Sequence, residues 1–557
     1  MSGLNGHTVI MFSRPRLQAA IMGIVSLATS PVQGQLYDKT IQTTLGPVKG
    51  FKYFDTNTTE TFWNVSQDNV AAFLGIPYAA DTGYQNRWKP PQPRDAWNVS
   101  FEATTFGPQC PTTHAQNYSE DCLSLNIWTS ANSSNNKLPV LVWNQGSEET
   151  SNTAWWYGGG MALEGVVMVT FNRRDDVLGF LAHPELNAEG LTSTGYNTSG
   201  NYGVLDHLEV LKWVKSNIAS FGGDPEQVTI AGQSFGSSQV YHAVNSPLFG
   251  GLFRGAISQS GIRYPYDTLL AGLATSYVTM DRALEFGVNY TLAHNVSDVE
   301  GLRNLSLEEI LVGSADRDYS IWNITALSCN YPLIYKPVLD GYVLPMNYVE
   351  QLKQGPANDV PLITGNTKDE SGAATSTNYT VEEYTRYCSF KYGNLSTEYF
   401  SLYPAGENYT TASVSWNAAA RDTSLVSSWA YANEWVLSAQ SPIYTYYWDH
   451  SPPGQDQGAF HQSEIMYALN ALYANADSYP FTEEDFDIAR QMTIYWTNFI
   501  KNRDPNQGEE VNLTYWYPND GKSNYVMHLG DGWGNYTVAQ SEQVNLIMDY
   551  FSQQIPY

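Results

Sequence analysis

The chain has 557 residues, 42% of them hydrophobic and 15% charged, and a formal charge of −27. That balance excludes a disordered chain and supports a large buried core. The excess of acid disfavours nucleic acid and anionic lipid as partners.

In chain order, the first element is a leader. Arg14 and Arg16 precede a moderately apolar stretch, Leu17 to Ala28, and small residues follow to Gly34. The stretch is too short to span a bilayer and reads as a secretory signal peptide over 1–34. Two features agree with export to the extracellular space. Asn-X-Ser/Thr acceptors occur at Asn57, Asn64, Asn98, Asn117, Asn132, Asn197, Asn289, Asn295, Asn304, Asn323, Asn378, Asn394, Asn408, Asn512 and Asn535, which predicts a glycosylated surface. The four cysteines predict disulfides: Cys110 and Cys122 close a short loop, leaving Cys329 and Cys388 as the second pair. No other stretch reads as an integral membrane segment, and the oligomeric state is open.

Short β-branched apolar runs follow at 138–143, 166–171, 227–232, 255–260, 360–365 and 442–448. Consecutive apolar positions suit strands buried on both faces. Between them lie helical patterns. Val204, Leu208, Leu211, Val214 and Ile218 share one helical face, and 265–355 reads as a helical insertion. Strands alternating with helices predict an α/β fold: a large central, mostly parallel sheet flanked by helices, with strand-like pieces in the first hundred residues. No linker interrupts 35–557, so a single domain is expected. The "WYGGGM" run (156–161) reads as a glycine turn before a strand, and no motif for a metal or cofactor is present.

Gly232-Gln233-Ser234-Phe235-Gly236 lies between the strand pattern 227–232 and a helix candidate starting at Phe235. A sharp strand-to-helix turn exposes a serine hydroxyl and sets helix N–H groups beside it, as a carbonyl-attacking nucleophile requires. A tight packing turn is the plainer alternative. Of the nine histidines only His450, His461 and His528 follow residue 370, and the residues alone leave His450 and His461 as rivals. Asp369 and Glu370 are rivals likewise.

"FGGDPEQVTIAGQSFG" (221–236), "FLGIPYA" (73–79), "RWKPPQP" (87–93), "EDCLSLNIW" (120–128) and "MTIYWTNFIKNRDPN" (492–506) together resemble the type-B carboxylesterase (cholinesterase-like) family of α/β-hydrolases, in order over roughly 40–510. The resemblance implies the α/β-hydrolase fold, no cofactor and a small-molecule carboxylic ester as substrate. It implies a triad of Ser234, Glu370 (in "LITGNTKDESG") and His461 (in "GAFHQSEIMYAL"). The family's glycine-rich oxyanion loop is altered here to Asn144-Gln145-Gly146-Ser147-Glu148-Glu149. Ungapped, Ser147 and Glu148 fall on the donor glycines; with one deletion, Gly146 and Ser147 do. The third donor is the N–H of Phe235. A carboxylate at Glu148 opposes an oxyanion unless it points away. Trp155, Trp156 and Tyr157 are candidates for a pocket wall. The altered loop keeps two alternatives open beside ester hydrolysis: biosynthetic acyl transfer or cyclisation, and a non-catalytic binding protein.

Overall fold

The computed structural model describes residues 34–55, 67–147, 149–273, 276–319, 331–508 and 512–557. Among them, eleven strands form the central sheet: β1 Phe51–Lys52, β2 Ala71–Pro77, β3 Ser124–Thr129, β4 Leu138–Asn144, β5 Val167–Phe171, β6 Gly223–Gln233, β7 Gly255–Gln259, β8 Leu362–Thr367, β9 Ile443–Trp448, β10 Tyr525–Leu529 and β11 Gly534–Thr537. Across the sheet the order is β1-β2-β3-β5-β4-β6-β7-β8-β9-β10-β11. Neighbours from β5 to β10 are parallel. Pairing is antiparallel among β1, β2, β3 and β5 at one edge, and between β10 and β11 at the other.

The six apolar runs are β4 to β9, the middle of the parallel region. Every residue of β5, β7, β8 and β9 is buried, because helices cover both faces and leave no polar side to alternate. Long helices include α1 Tyr202–Asn217, α2 Phe235–Asn245, α3 Tyr409–Ser438 and α4 Glu483–Asn502. The insertion 265–355 is helical as expected, with helices Met280–Ala293, Val299–Arg303, Leu307–Ile310 and Tyr348–Gln354. The glycine run at 158–160 is not a simple turn: Gly159–Leu163 is a short helix. A Cβ at Gly160 would stand 1.9 Å from the carbonyl oxygen of Asn470, so glycine here lets two backbones touch.

After β4 the chain steps to β5 on one side, then returns to lay β6 on the other. In such a sheet a crevice opens beyond the carboxyl ends of the two diverging strands. Asn144, last in β4, pairs with Gly232 near the end of β6. The loop at 145–149 and the turn at Ser234 therefore leave the sheet side by side.

Ion pairs tie the landmark segments together. The Arg87 guanidinium forks onto Glu120 (2.6 and 2.8 Å), and Arg94 does the same to Asp121 (2.6 and 3.2 Å). Arg174 donates to both carboxylate oxygens of Asp206 on α1, from Nε at 2.9 Å and from Nη2 at 2.6 Å, and both side chains are buried. Removing one partner strands a charge away from water. Asp206→Ala is expected to lower unfolding stability by about 3–5 kcal/mol, read by denaturant titration.

Cys110 and Cys122 are joined as expected. The second pairing is not made. Cys388 is a free thiol in the helix Val381–Tyr392, buried and donating to the Tyr399 hydroxyl at 3.3 Å. It packs in a tyrosine cluster with Tyr384, Tyr392 and Tyr399, and burial pushes its thiol up to about 11; Cys329 lies outside the described residues. The leader is also outside them, save Gly34. All twelve described acceptor asparagines are exposed, whereas none of the ten buried asparagines carries the acceptor pattern. Asn57, Asn64 and Asn323 lie outside the described residues. Among the described residues no helix is long and apolar enough to cross a membrane.

Candidate active site

Ser234 stands between β6 and α2 with φ 57° and ψ −121°. Positive φ in a non-glycine residue holds on the order of 1–3 kcal/mol of strain and is kept only where surroundings enforce it. Here the Ser234 N–H donates to the Gln259 carbonyl at the end of β7 (3.0 Å). The flanking glycines are sterically required. A Cβ on Gly232 would lie 2.4 Å from the Gly236 carbonyl oxygen, and one on Gly236 only 2.0 Å from that of Asn144. The first turn of α2 is thus pressed against the end of β4, and its N-terminal N–H groups face the crevice edge.

Glu370 follows β8 and is buried. Its Oε1 accepts from Asn366 Nδ2 and from the Thr367 N–H, both at 3.1 Å, and its Oε2 meets His461 Nδ1 at 2.5 Å. Burial alone would raise this carboxyl; the hydrogen bond and charge of His461 outweigh it and hold Glu370 below the usual carboxylate range. An ionised Glu370 only accepts, so Nδ1 carries the proton and Nε2 keeps its lone pair. Burial also opposes charge on His461, but Glu370, with Glu464 and Glu149 behind it, raises the imidazole above its ordinary value. The His461 side chain remains 41% exposed, open to the crevice.

The rival residues have structural work. Asp369 pairs with Arg421 (2.5 Å), and its Oδ2 accepts from the Ala459 N–H (2.9 Å), tying the loop that carries His461 to the loop that carries Glu370. His450 bridges Asp485 of α4 (3.0 Å) and Asp531 (2.6 Å). No hydrogen bond joins Ser234 to His461 in this state. The imidazole contacts Glu370 and the amide of Gln233, whose Nε2 is 3.2 Å from His461 Nε2. Catalytic hydrogen bonds commonly tighten only when substrate is bound.

The oxyanion region differs most from expectation. Ser147 and Phe235 share a cavity wall, as a common oxyanion site requires. The Gly146 N–H, however, donates to Glu149 Oε2 at 2.7 Å and is not open to a substrate oxygen. Gln462, next to the histidine, holds the other Glu149 oxygen at 2.7 Å. Burial raises the Glu149 carboxyl above its ordinary value. Arg173 braces the loop: its Nη2 donates to the Gly146 carbonyl (3.1 Å), and its guanidinium lies 5.0 Å from the Phe235 ring centre. Glu148 lies outside the described residues. Trp155 alone of the three aromatics approaches the histidine loop, 6.1 Å from Phe460; Trp156 is core, and Tyr157 stacks on Phe106 and Trp128.

Sequence reasoning missed Gln233, Glu149, Gln462 and Glu464. Glu149 and Glu464 were findable as carboxylates within a few residues of site positions; the two glutamines carried no signal. Glu464 is fully buried, accepting from Gln259 Nε2 at 3.0 Å. Burial, then the charge of Glu370, pushes its carboxyl up to about 7. A carboxyl raised from 4.5 on folding gives its full stability below that value and loses it as pH climbs towards 7. Glu464→Gln removes the penalty. Its melting temperature relative to wild type is expected to rise between about pH 5 and about pH 8, by the equivalent of up to about 3 kcal/mol.

The sheet order and the strained serine turn between β6 and α2 are those of an α/β-hydrolase, and the family match makes the chain a carboxylic ester hydrolase. The chain belongs to the carboxylesterase family, whose model it matches over residues 37–546. It is 32% identical to the fumonisin B1 esterase of Sphingopyxis macrogoltabida over 464 residues, covering 79% of this chain and 81% of that one. To the cocaine esterase of Homo sapiens it is 30% identical, covering 82% and 83% of the two chains. The fold superposes on a carboxylesterase of Geobacillus stearothermophilus with a TM-score of 0.70 at 26% identity, over 91% of this chain and 99% of that one.

Proposed function

We propose that this carboxylic ester hydrolase is a secreted, glycosylated serine esterase working through Ser234, His461 and Glu370. The observation that carries the reading is the 2.5 Å contact between His461 Nδ1 and Glu370, at the crevice where Ser234 is held at φ 57°. Ser234 Oγ attacks the ester carbonyl as its proton passes to His461 Nε2, and Glu370 stabilises the imidazolium. The C–O bond to the alcohol breaks, and His461 returns the proton to the leaving alkoxide. Water then attacks the acyl-serine by the same route and releases the acid. The N–H groups of Ser147 and Phe235 are the proposed oxyanion donors, joined by Gly146 once Glu149 withdraws. The exposed acceptor asparagines support secretion, and the family match across 37–546 supports reading 35–557 as one domain. A fluorophosphonate probe is expected to label the wild type and not Ser234→Ala. Equal labelling of the two overturns the assignment.

A further inference from the structure

A cavity of about 330 Å³ is lined by Ser147 and by Phe235, the residue after Ser234, with Arg317, Lys336, Asp175 and Asp176 also in its walls. That is room for about ten water-sized groups. Its walls hold two cations and two carboxylates, which are not paired with one another. Lys336 is buried, and its ammonium donates to the Ser276 hydroxyl at 2.6 Å. Half-buried Arg317 donates to the Tyr331 carbonyl at 2.6 Å. Among the described residues neither cation has a carboxylate within ion-pair distance. Asp318, which faces Lys336 from farther off, is paired with Arg282 at 3.2 Å. Asp175 is answered by Arg173 at 3.1 Å, and Asp176 opens the short helix Asp176–Phe180.

A buried ammonium held only by a hydroxyl is costly unless something negative completes it. In a chain with 55 acidic and 28 basic side chains, two cations that have no carboxylate partner among the described residues and line one cavity with Phe235 are hard to account for as packing. Burial pushes Lys336 down to about 8, which leaves it mostly charged at neutral pH.

We propose that this cavity receives an anionic arm of the substrate, so that the preferred ester carries a free carboxylate bound by Lys336 and Arg317, as in a half-ester of a dicarboxylic acid. The proposal rests on Ser234 being the nucleophile. The local pair of cations also offsets the repulsion that the net charge of the chain would exert on such a substrate.

The test compares kcat/KM for 4-nitrophenyl hydrogen glutarate with that for 4-nitrophenyl pentanoate, which has the same carbon chain without the carboxylate, each corrected for uncatalysed hydrolysis. Wild type is expected to favour the glutarate. Arg317→Gln, a half-buried site that folds readily, and Lys336→Met are each expected to lower the glutarate-to-pentanoate ratio by about tenfold or more. The wild-type ratio should fall as salt is added. A binding arm needs no turnover: glutarate binding to Ser234→Ala, read by calorimetry, should weaken by a similar factor when Arg317→Gln is added. That arm separates a failed subsite from a failed nucleophile assignment. A ratio that neither variant moves, or a preference for a choline ester that Asp175 and Asp176 would hold, overturns the proposal.

Discussion

Glu370→Gln is expected to lower kcat by about 10⁴-fold while leaving the fold and the Ser234 turn intact. The size of the effect follows from hydrogen-bond direction. Glu370 Oε1 already accepts from Asn366 and Thr367, and Oε2 faces His461 Nδ1. A glutamine keeps its carbonyl on the two donors and turns its NH₂ toward Nδ1. The imidazole then takes the other tautomer, with the proton on Nε2, where it cannot accept the serine proton. Single-turnover kinetics of acyl-enzyme formation check this. A fall of less than about tenfold would mean that Glu370 does not orient the base, and would move attention to Asp369.

Glu149→Ala is expected to act in the opposite direction and raise kcat/KM, by on the order of 10²-fold. Its carboxylate lies on the Gly146 N–H at 2.7 Å, where a developing oxyanion would compete with it. A full negative charge in that position also opposes the charge of the tetrahedral intermediate. Removing it frees one donor, and a single oxyanion donor is worth about 10²–10³ in rate. A second readout separates this from a change in packing. Glu149 is among the charges that raise His461. His461 works as a base only when neutral, so the acid limb of the wild-type rate profile should lie above the ordinary 6.5 of imidazole. Without Glu149 the imidazole loses its proton at lower pH, and the limb moves down. An unchanged rate with an unchanged limb would show that Glu149 has already left the site in solution.

The sheet was legible because burial on both faces leaves a run of apolar, β-branched residues that cannot be spread over a helix period. All six such runs, β4 to β9, are strands. β10 and β11, where burial is broken by half-exposed residues such as Tyr525 and His528, left no such run. The nucleophile turn was legible because its glycines answer a local steric demand. His461 and Glu370 were found through the family likeness and not from their surroundings. What separates them from His450 and Asp369 is partners distant in the chain: Asp485 and Asp531 in one case, Arg421 and Ala459 in the other. The pairing of Cys388 failed on the same ground, since counting thiols says nothing about the tyrosines that wrap one of them.

Asn144, the first residue of the altered segment, is the last one of β4 held in register by the sheet, and the rest of the segment follows it. Scaffold and chemistry therefore meet at a seam one peptide bond wide. On one side the backbone is locked by neighbours that tolerate not even a methyl group; on the other, Gln145, Gly146, Ser147 and Glu149 take no part in the ladder. Substitutions in the second can therefore change rate and selectivity while the body of the protein stays as it is.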